Sequence, residues 1–274
     1  MDKAKYVFAG NRASVLEKMF EMKLDIVKIW AVENSYLQRY LDEKKIEYSL
    51  IRDKKAFVNE VETEEFNYFI SNGLPIILPV GKLSRDNKKY INIHPSLLPE
   101  LRGKDPVPGA LLYQKPIGVT CHYMDEGIDS GDIIAQVEID RSPDLEAGLL
   151  YQLSFMAEAE VFEKAYKKGF AVEGKQRNSG DEIYYSFSDK DLEIDIKADN
   201  VEKICARVKA FSTRNKGAIL QVGEKKFRCW SVEVIKNKYL RKRIESYINY
   251  NIVLKYEDKI LVRKDDELLK FIVN

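Results

Sequence analysis

The sequence is poor in the residues from which disulfide frameworks, metal sites and membrane spans are built. Of its 274 residues, two are histidines and three are cysteines, Cys121, Cys205 and Cys229. Because the cysteines are odd in number and fit no disulfide or metal-binding spacing, we expect reduced, mostly buried thiols. No run approaches the roughly 18 apolar residues of a membrane span, and the chain enters a strand at once without a signal-peptide pattern. We therefore expect a cytoplasmic protein without membrane association.

The glycine-rich motifs of nucleotide-dependent enzymes are also missing. The first strand–helix turn, FAGNRAS, contains one glycine and matches neither the dinucleotide-binding motif nor the P-loop. A nicotinamide or ATP cofactor is therefore disfavoured. The backbone N–H groups of residues 11–13 can still hold an anion at the start of the following helix, which makes Asn11 and Arg12 candidate substrate-binding residues.

Strand-like and helix-like segments alternate along the first half of the chain. With 45% hydrophobic and 32% charged residues, the composition is that of a globular protein. The alternation predicts an α/β fold with a doubly wound, mostly parallel sheet. After Gly169 a polar stretch marks a linker, and short strands at roughly 8–12-residue spacing then suggest a small, OB-like β-barrel. We predict a first domain of residues 1–175 and a C-terminal β-rich domain of residues 176–274.

The net charge is +1, but the charge is unevenly distributed. Residues from Lys175 onward carry about +6 and the preceding residues about −5. The densest basic run is KNKYLRKR, Lys236–Arg243. Such a run is either a solvated surface or a site that attracts a polyanion such as a diphosphate or tRNA, and the sequence leaves both open.

The stretch INIHPSLLPELRG ends a predicted strand on Asn92 and His94. Residues two apart in a strand face the same side, so both side chains can point at one reacting group beyond the carboxyl end of the sheet. An asparagine amide is a neutral donor suited to a developing oxyanion, and a histidine can accept a proton near neutral pH. A histidine at a strand end is also often structural, so this pattern alone does not establish catalysis.

The loop MDEGIDSGD, residues 124–132, contains four acidic residues and two glycines. It does not match the calcium-binding loop of an EF-hand. A tight loop that presents one carboxylate to a histidine is an alternative, and Asp129, between the two glycines, is best placed for it. A turn capped by its own aspartate side chains is the structural alternative.

Together, NIHPSLLPELRG and GVTCHYMDEGIDSGDIIAQ closely resemble the formyltransferases that use 10-formyltetrahydrofolate. Both blocks stand in the family's order, and the likeness covers residues 4–165, with a weaker echo from residue 185 onward. The resemblance implies a catalytic trio of Asn92, His94 and Asp129. It also implies 10-formyltetrahydrofolate as co-substrate and no metal.

The resemblance further implies where the folate binds. The pterin is expected against the backbone of the PIIL segment and of the loop that leads to Asp129, with the SLL segment as an apolar wall. The residues concerned are Pro75, Ile76, Ile77, Leu78, Ser96, Leu97, Asp125 and Ile128.

The family members differ in the amine that they formylate. Methionyl-tRNA formyltransferases usually carry a long, basic, glycine-rich insertion after the second strand, and here that place reads WAVENSYLQRYLDEKK. The segments HYMDEGIDSGDII and KGAILQVGEKKFRCWS look more like those of the nucleotide-sugar N-formyltransferases. We therefore expect formylation of a nucleotide-linked amino-deoxysugar, a precursor of bacterial surface glycans such as O antigen. Methionyl-tRNA and another small or carrier-bound amine remain alternatives.

A nucleotide sugar needs basic residues for its diphosphate and an aromatic face for its base. The candidates near the predicted linker are Arg177, Tyr184, Lys209 and Phe211, although Tyr184 and Phe211 can equally be structural. The second histidine, His122, is expected to be structural or to support the trio. The resemblance also implies a homodimer.

A non-enzymatic alternative is a nucleic-acid-binding module formed by the barrel and the basic run Lys236–Arg243. The intact trio argues against this alternative. We therefore do not expect a nucleic-acid partner.

Overall fold

The computed structural model describes residues 3–83, 85, 87–176 and 182–273. The chain forms two compact units. Unit 1 comprises Met1–Gly103, Pro116–Asp140 and Leu153–Tyr184, and unit 2 comprises Lys104–Lys115, Arg141–Gln152 and Tyr185–Asn274. Lys104–Lys115 and Arg141–Gln152 thus belong to unit 2, although they precede the predicted domain boundary at residue 175. Hydrophobic patterning along the sequence does not reveal this division.

Unit 1 contains a seven-stranded sheet with the order β3-β2-β1-β4-β5-β6-β7. The first five strands run parallel to their neighbours, and the last two are antiparallel, which confirms the mostly parallel sheet expected from the sequence. The strands are β1 (Lys5–Gly10), β2 (Asp25–Val32), β3 (Ser49–Ile51), β4 (Tyr68–Asn72), β5 (Lys89–His94), β6 (Gly118–Tyr123) and β7 (Ile133–Glu138).

Two of the helices that accompany these strands begin at a residue whose side chain caps them. The Ser35 hydroxyl accepts a hydrogen bond from the Gln38 amide at 3.1 Å, and the Asp53 carboxylate accepts one from the Ala56 amide at 2.8 Å. The helices up to residue 167 are α1 (Ser14–Glu21), α2 (Tyr36–Lys44), α3 (Lys54–Thr63), α4 (Val80–Leu83), α5 (Pro106–Leu112) and α6 (Ala147–Lys167).

Helix α5 is one of the elements that the sequence pattern does not predict. Its first turn contains Pro106 and Pro108, which read as loop residues. Proline is tolerated in the first turn of a helix, because the N–H group that it lacks has no intrahelical partner there.

Both faces of the unit 1 sheet are buried, as in a doubly wound fold. Neighbouring residues of β4 alternate between the faces: Ile70 packs with α1 and α6, whereas Phe69 packs with α3. The strand order reverses between β1 and β4. In open α/β sheets, ligands bind in the crevice outside the carboxyl ends of the strands at such a switch point. The residues after β1, β4 and β5 are therefore the ones from which a site can be built.

Unit 2 contains a six-stranded, mostly antiparallel sheet with the order β11-β12-β13-β10-β9-β8, which leaves β11 and β8 at its edges. Helix α7 packs against the sheet and against α5. Its strands and α-helices from residue 193 onward are β8 (Glu193–Ile194), α7 (Val201–Ala210), β9 (Ala218–Val222), β10 (Lys225–Val234), α8 (Lys238–Arg241), β11 (Ile252–Tyr256), β12 (Lys259–Lys264) and β13 (Glu267–Val273). The β-rich C-terminal region expected from the strand spacing is thus confirmed.

The basic run Lys236–Arg243 lies on α8 and the residues beside it, with its cationic side chains exposed. Arg241 faces Glu267 at 3.5 Å. Among the described residues, no helix combines the length and the apolar character needed to cross a membrane.

Candidate active site

The three residues expected to be catalytic meet at the carboxyl end of β5. Strand β6 lies beside β5, with His122 opposite Asn92, and the loop after β6 places Asp129 next to both residues. The Asn92 amide nitrogen donates a hydrogen bond to Oδ1 of Asp129 at 3.2 Å. Oδ2 of Asp129 lies 3.5 Å from Nδ1 of His94. One carboxylate therefore contacts both residues of the Asn-x-His pair.

The contact of Nε2 with a backbone carbonyl decides which ring nitrogen of His94 can accept a proton. Nε2 lies 2.9 Å from the Leu101 carbonyl oxygen, and because a carbonyl oxygen only accepts, this nitrogen carries a hydrogen. Nδ1 is then the atom that can gain a proton, and it faces Asp129. Burial lowers the pKa of His94, while the Asp129 carboxylate acts in the opposite direction. The ring is therefore suited to accept a proton and to be stabilised as a cation next to a carboxylate.

Asp129 is held with its charge directed into the site. Burial alone would raise the pKa of its carboxyl group, but His94, His122 and the Gly103 amide, which donates to Oδ2 at 3.0 Å, together hold that pKa well below its usual range. The backbone of Asp129 adopts a φ of +52°, in the left-handed region that aspartate tolerates better than most residues. Such a conformation persists only where the surroundings hold it.

A hydrogen-bonded clamp fixes the Asp129 backbone. The Gln176 amide nitrogen donates to the Asp129 carbonyl at 2.9 Å and to the Gly131 carbonyl at 2.7 Å. The Gln176 amide oxygen accepts from Nε and Nη2 of the buried Arg102 at 3.1 and 2.6 Å. Nη1 of Arg102 donates to the Tyr184 hydroxyl at 2.8 Å. Sequence reasoning misses Gln176 and Arg102, because the clamp joins residues more than 40 positions apart.

His122 supports the trio. Its Nδ1 donates to the Tyr123 carbonyl oxygen at 2.7 Å, and its Nε2 lies 3.2 Å from the Asn92 amide nitrogen. Nε2 also lies 3.5 Å from Oδ1 of Asp129. The strand register that pairs His122 with Asn92 places this histidine in the site.

A cavity of about 640 Å³ lies beside the loop that carries Asp129. Ile77 and Leu78, two of the residues expected to contact folate, line it together with Glu126 of the loop. Three lysines, Lys54, Lys55 and Lys82, also line the cavity and contribute positive charge to it. The volume is in the range of small-molecule sites.

The other residues expected to contact folate differ in their surroundings. Ser96 is buried, and its hydroxyl donates to the Glu100 carbonyl at 2.7 Å. Leu97 packs against Gly118, at the start of β6. Pro75 and Ile76 precede the cavity-lining segment, Asp125 accepts from the Gly127 amide and the Ser130 hydroxyl, and Ile128 is exposed.

The residues expected to bind the acceptor belong to both units, and Asn11, Arg12 and Tyr184 lie in unit 1. Arg12 forms an ion pair with the buried Glu158 at 3.1 Å, and Asn11 lies beside it after β1. Tyr184 is exposed and accepts a hydrogen bond from Arg102.

The remaining acceptor candidates lie in unit 2 or beyond the described residues. Nζ of Lys209 donates to the Pro143 carbonyl at 2.6 Å. Phe211 is fully buried, with its ring centroid 5.7 Å from that of Phe187. Arg177 lies outside the described residues.

The formyl transferase family model matches residues 30–166, half of the chain. The methionyl-tRNA formyltransferase of Halothermothrix orenii is 31% identical over 192 residues, which cover 66% of this chain and 58% of the relative. The aligned part is less than two thirds of the length of the curated relatives that the chain matches.

Two solved structures match the whole chain. WlaRD, described as a sugar 3N-formyl transferase in the presence of dTDP and 5-N-formyl-THF, superposes with a TM-score of 0.74 at 19% identity, covering 100% of this chain and 98% of WlaRD. The N-formyltransferase from Helicobacter canadensis, in complex with folinic acid and dTDP-3-aminofucose, superposes with a TM-score of 0.72 at 18% identity over 100% of both chains. At these identities the likeness shows a common fold. By its family match, the chain belongs to the formyl transferase family.

Proposed function

We propose that this formyl transferase family member transfers a formyl group from 10-formyltetrahydrofolate to the primary amine of a nucleotide-linked amino-deoxysugar. The observation that carries the proposal is that the Asp129 carboxylate lies within 3.5 Å of polar atoms of both Asn92 and His94. A neutral donor, a proton acceptor and a carboxylate are the groups that acyl transfer to an amine requires.

The reaction begins when the uncharged amine attacks the formyl carbon. A C–N bond forms, and the carbonyl oxygen gains negative charge. The Asn92 amide then exchanges one of its two hydrogen bonds, to Asp129 or to His122, for a hydrogen bond to this oxyanion. His94 accepts the amine proton at Nδ1, where Asp129 stabilises the imidazolium. The proton then passes to N10 of tetrahydrofolate as the bond from the formyl carbon to N10 breaks.

The cavity beside the Asp129 loop is the proposed folate site. Ile77 and Leu78 supply apolar contact for the ring system, and Lys54, Lys55 and Lys82 supply charge for the carboxylates of the glutamate tail. Glu126 lies three residues before Asp129 in the same loop, so folate bound there would approach the trio along that loop.

Two observations favour an aminosugar over methionyl-tRNA as acceptor. The whole-chain superpositions are with enzymes described as sugar N-formyltransferases or bound to a dTDP-aminosugar. The connection between β2, which ends at Val32, and α2, which begins at Tyr36, has no room for the basic insertion typical of the tRNA enzymes. Methionyl-tRNA is the second candidate, because curated relatives carry that activity in their names.

The test is tetrahydrofolate release from 10-formyltetrahydrofolate with a panel of acceptors. The panel contains dTDP- and UDP-linked 3-amino- and 4-aminosugars and charged initiator tRNA. Turnover with an aminosugar and none with tRNA supports the proposal. Turnover with tRNA alone refutes the acceptor and leaves the reaction standing. Failure to bind folate or to turn over any acceptor contradicts the reaction itself.

A further inference from the structure

The loop that follows His94 is tied to the neighbouring strands by two polar side chains that the mechanism above does not use. Thr120, on β6, is fully buried and stands opposite His94 in the sheet register. Its hydroxyl donates to the Ser96 carbonyl at 2.7 Å and accepts from the Leu98 amide at 3.1 Å. The side-chain nitrogen of Gln136, on β7, donates both to this hydroxyl at 2.9 Å and to the Leu98 carbonyl at 3.0 Å. The one hydrogen and both lone pairs of the Thr120 hydroxyl are therefore used to hold the loop.

The loop ends on a residue whose backbone is strained. Leu101 is fully buried and adopts a φ of +58°, in the left-handed region that leucine rarely enters. The Ser96 hydroxyl donates to the Glu100 carbonyl at 2.7 Å, which ties the residue before Leu101 to the segment that Thr120 holds. Since a strained conformation persists only where its surroundings hold it, the anchored loop fixes the direction of the Leu101 carbonyl. That carbonyl oxygen lies 2.9 Å from Nε2 of His94.

Two acceptors compete for the single hydrogen of the neutral His94 ring. The Leu101 carbonyl oxygen lies 2.9 Å from Nε2, and Oδ2 of Asp129 lies 3.5 Å from Nδ1. A hydrogen on Nδ1 would satisfy the carboxylate, but the lone pairs of Nε2 and of the carbonyl oxygen would then face each other. The shorter contact holds the hydrogen on Nε2 and leaves Nδ1 open to a proton. The position of the Leu101 carbonyl thus decides which tautomer the ring adopts.

We propose that Thr120 is a positioning residue for formyl transfer, which anchors the loop after His94 and so selects the tautomer in which that ring can accept the amine proton. The inference rests on the proposed function. When the loop is loose, the Asp129 carboxylate draws the hydrogen to Nδ1, and the nitrogen that the mechanism needs as an acceptor is occupied. Gln136 acts in the same direction, because it holds the Thr120 hydroxyl and the loop together.

The test observes the tautomer directly, which is practical because the chain contains two histidines. Long-range proton–nitrogen NMR spectra of the folded protein show which ring nitrogen carries the hydrogen, at a pH where both rings are neutral. Wild type should carry it on Nε2 of His94 and on Nδ1 of His122, which donates to the Tyr123 carbonyl. The two rings therefore give different patterns and can be told apart.

The decisive pair of variants separates the hydroxyl group from the shape of the side chain. Thr120→Val keeps the shape and removes the hydroxyl, whereas Thr120→Ser keeps the hydroxyl. In Thr120→Val, hydrogen should appear on Nδ1 of His94, and the single-turnover rate of formyl transfer should fall about tenfold or more. Thr120→Ser should restore both the Nε2 tautomer and the rate, a rescue that a purely steric role of Thr120 would not give.

The matched control is Thr63→Val, the same substitution at the end of α3, where the hydroxyl donates to the carbonyls of Asn59 and Glu60. It should change neither the tautomer nor the rate. Should Thr120→Val fail to fold, Gln136→Met at its half-buried position takes its place. That variant removes the hydrogen bonds to Thr120 and Leu98 and should shift the tautomer and the rate in the same direction.

Two kinds of result would overturn the inference. One is a hydrogen that lies on Nδ1 of His94 in wild type, or that stays on Nε2 in the folded Thr120→Val or Gln136→Met variant, whatever the rate. The other is a changed tautomer with a wild-type rate, which would remove the role in transfer. If wild type formylates no acceptor, the proposed function fails, and the spectra still decide whether Thr120 positions His94.

Discussion

Removal of the Arg12 side chain should leave the buried Glu158 carboxylate without its positively charged partner. Glu158 is fully buried, and its ion pair with Arg12 spans 3.1 Å. Breaking a buried pair by removing one partner costs about 3–5 kcal/mol. This is a large part of the roughly 5–15 kcal/mol that stabilises a typical domain. At about 2–4 °C per kcal/mol, we expect Arg12→Met to lower the unfolding temperature by roughly 6–20 °C near neutral pH.

The loss of stability should depend on pH in one direction. Burial raises the pKa of Glu158, while Arg12, Asn72 and Ser14 act against it. Without Arg12 the pKa of folded Glu158 rises further above the value of 4.5 in the unfolded chain. The folded variant then holds a proton that the unfolded chain releases, so its stability falls as pH rises through the folded pKa. The deficit of Arg12→Met should therefore be smallest near pH 4.5 and largest in alkaline solution.

The assay is thermal unfolding of wild type, Arg12→Met and the double variant Arg12→Met/Glu158→Gln between about pH 4.5 and pH 8. The double variant should regain much of the lost stability at high pH, because no charge remains buried. Arg52→Met is the control: its pair with Glu33 is 3.7 Å long and exposed, and should be worth under about 1 kcal/mol. A deficit for Arg12→Met that is absent, or equal at every pH, would refute the reasoning.

Three further predictions concern the site and its surroundings. Gln176→Leu should lower kcat about 10–100-fold by releasing the Asp129 backbone, with 5-formyltetrahydrofolate binding within about threefold of wild type by calorimetry; unchanged kcat would show that the clamp does not position Asp129. Asp129→Asn should lower kcat at least about 100-fold and move the acid limb of the pH–rate profile to lower pH. The Asp129 carboxylate raises the pKa of His94, so its removal lets that pKa fall. An acid limb at the wild-type pH would contradict the pairing of His94 with Asp129. Phe211→Ala should lower the free energy of unfolding by about 3–5 kcal/mol in denaturant and leave KM for the acceptor unchanged, since the ring is buried against Phe187. A raised KM with unchanged stability would instead indicate that Phe211 stacks on the base of the acceptor.

The residues that local patterns could identify are those whose neighbours in sequence are also their neighbours in the site. Asn92 and His94 stand two apart at a strand end, and Asp129 lies between two loop glycines, so their positions made them candidates. The resemblance to the formyltransferases then implied that the three act together. The alternation of strand-like and helix-like segments likewise predicted the mostly parallel α/β sheet of unit 1.

The residues that local patterns missed act through long-range contacts. Glu158 reaches Ser14 across 144 positions, and its carboxylate lies in a helix whose sequence reads as an ordinary amphipathic one. Gln176 stands in a polar stretch that reads as a linker, although it holds Asp129 from 47 positions away.

Asn92 and His94 are the two side chains that we propose act directly in formyl transfer. The most direct test is the single-turnover rate of transfer from 10-formyltetrahydrofolate by Asn92→Ala and His94→Ala, with folding checked by circular dichroism and folate binding by calorimetry. Each variant should bind folate and lose at least about 100-fold in rate, the scale of one oxyanion donor or general base. Near-wild-type rates in folded variants that bind folate would contradict the account.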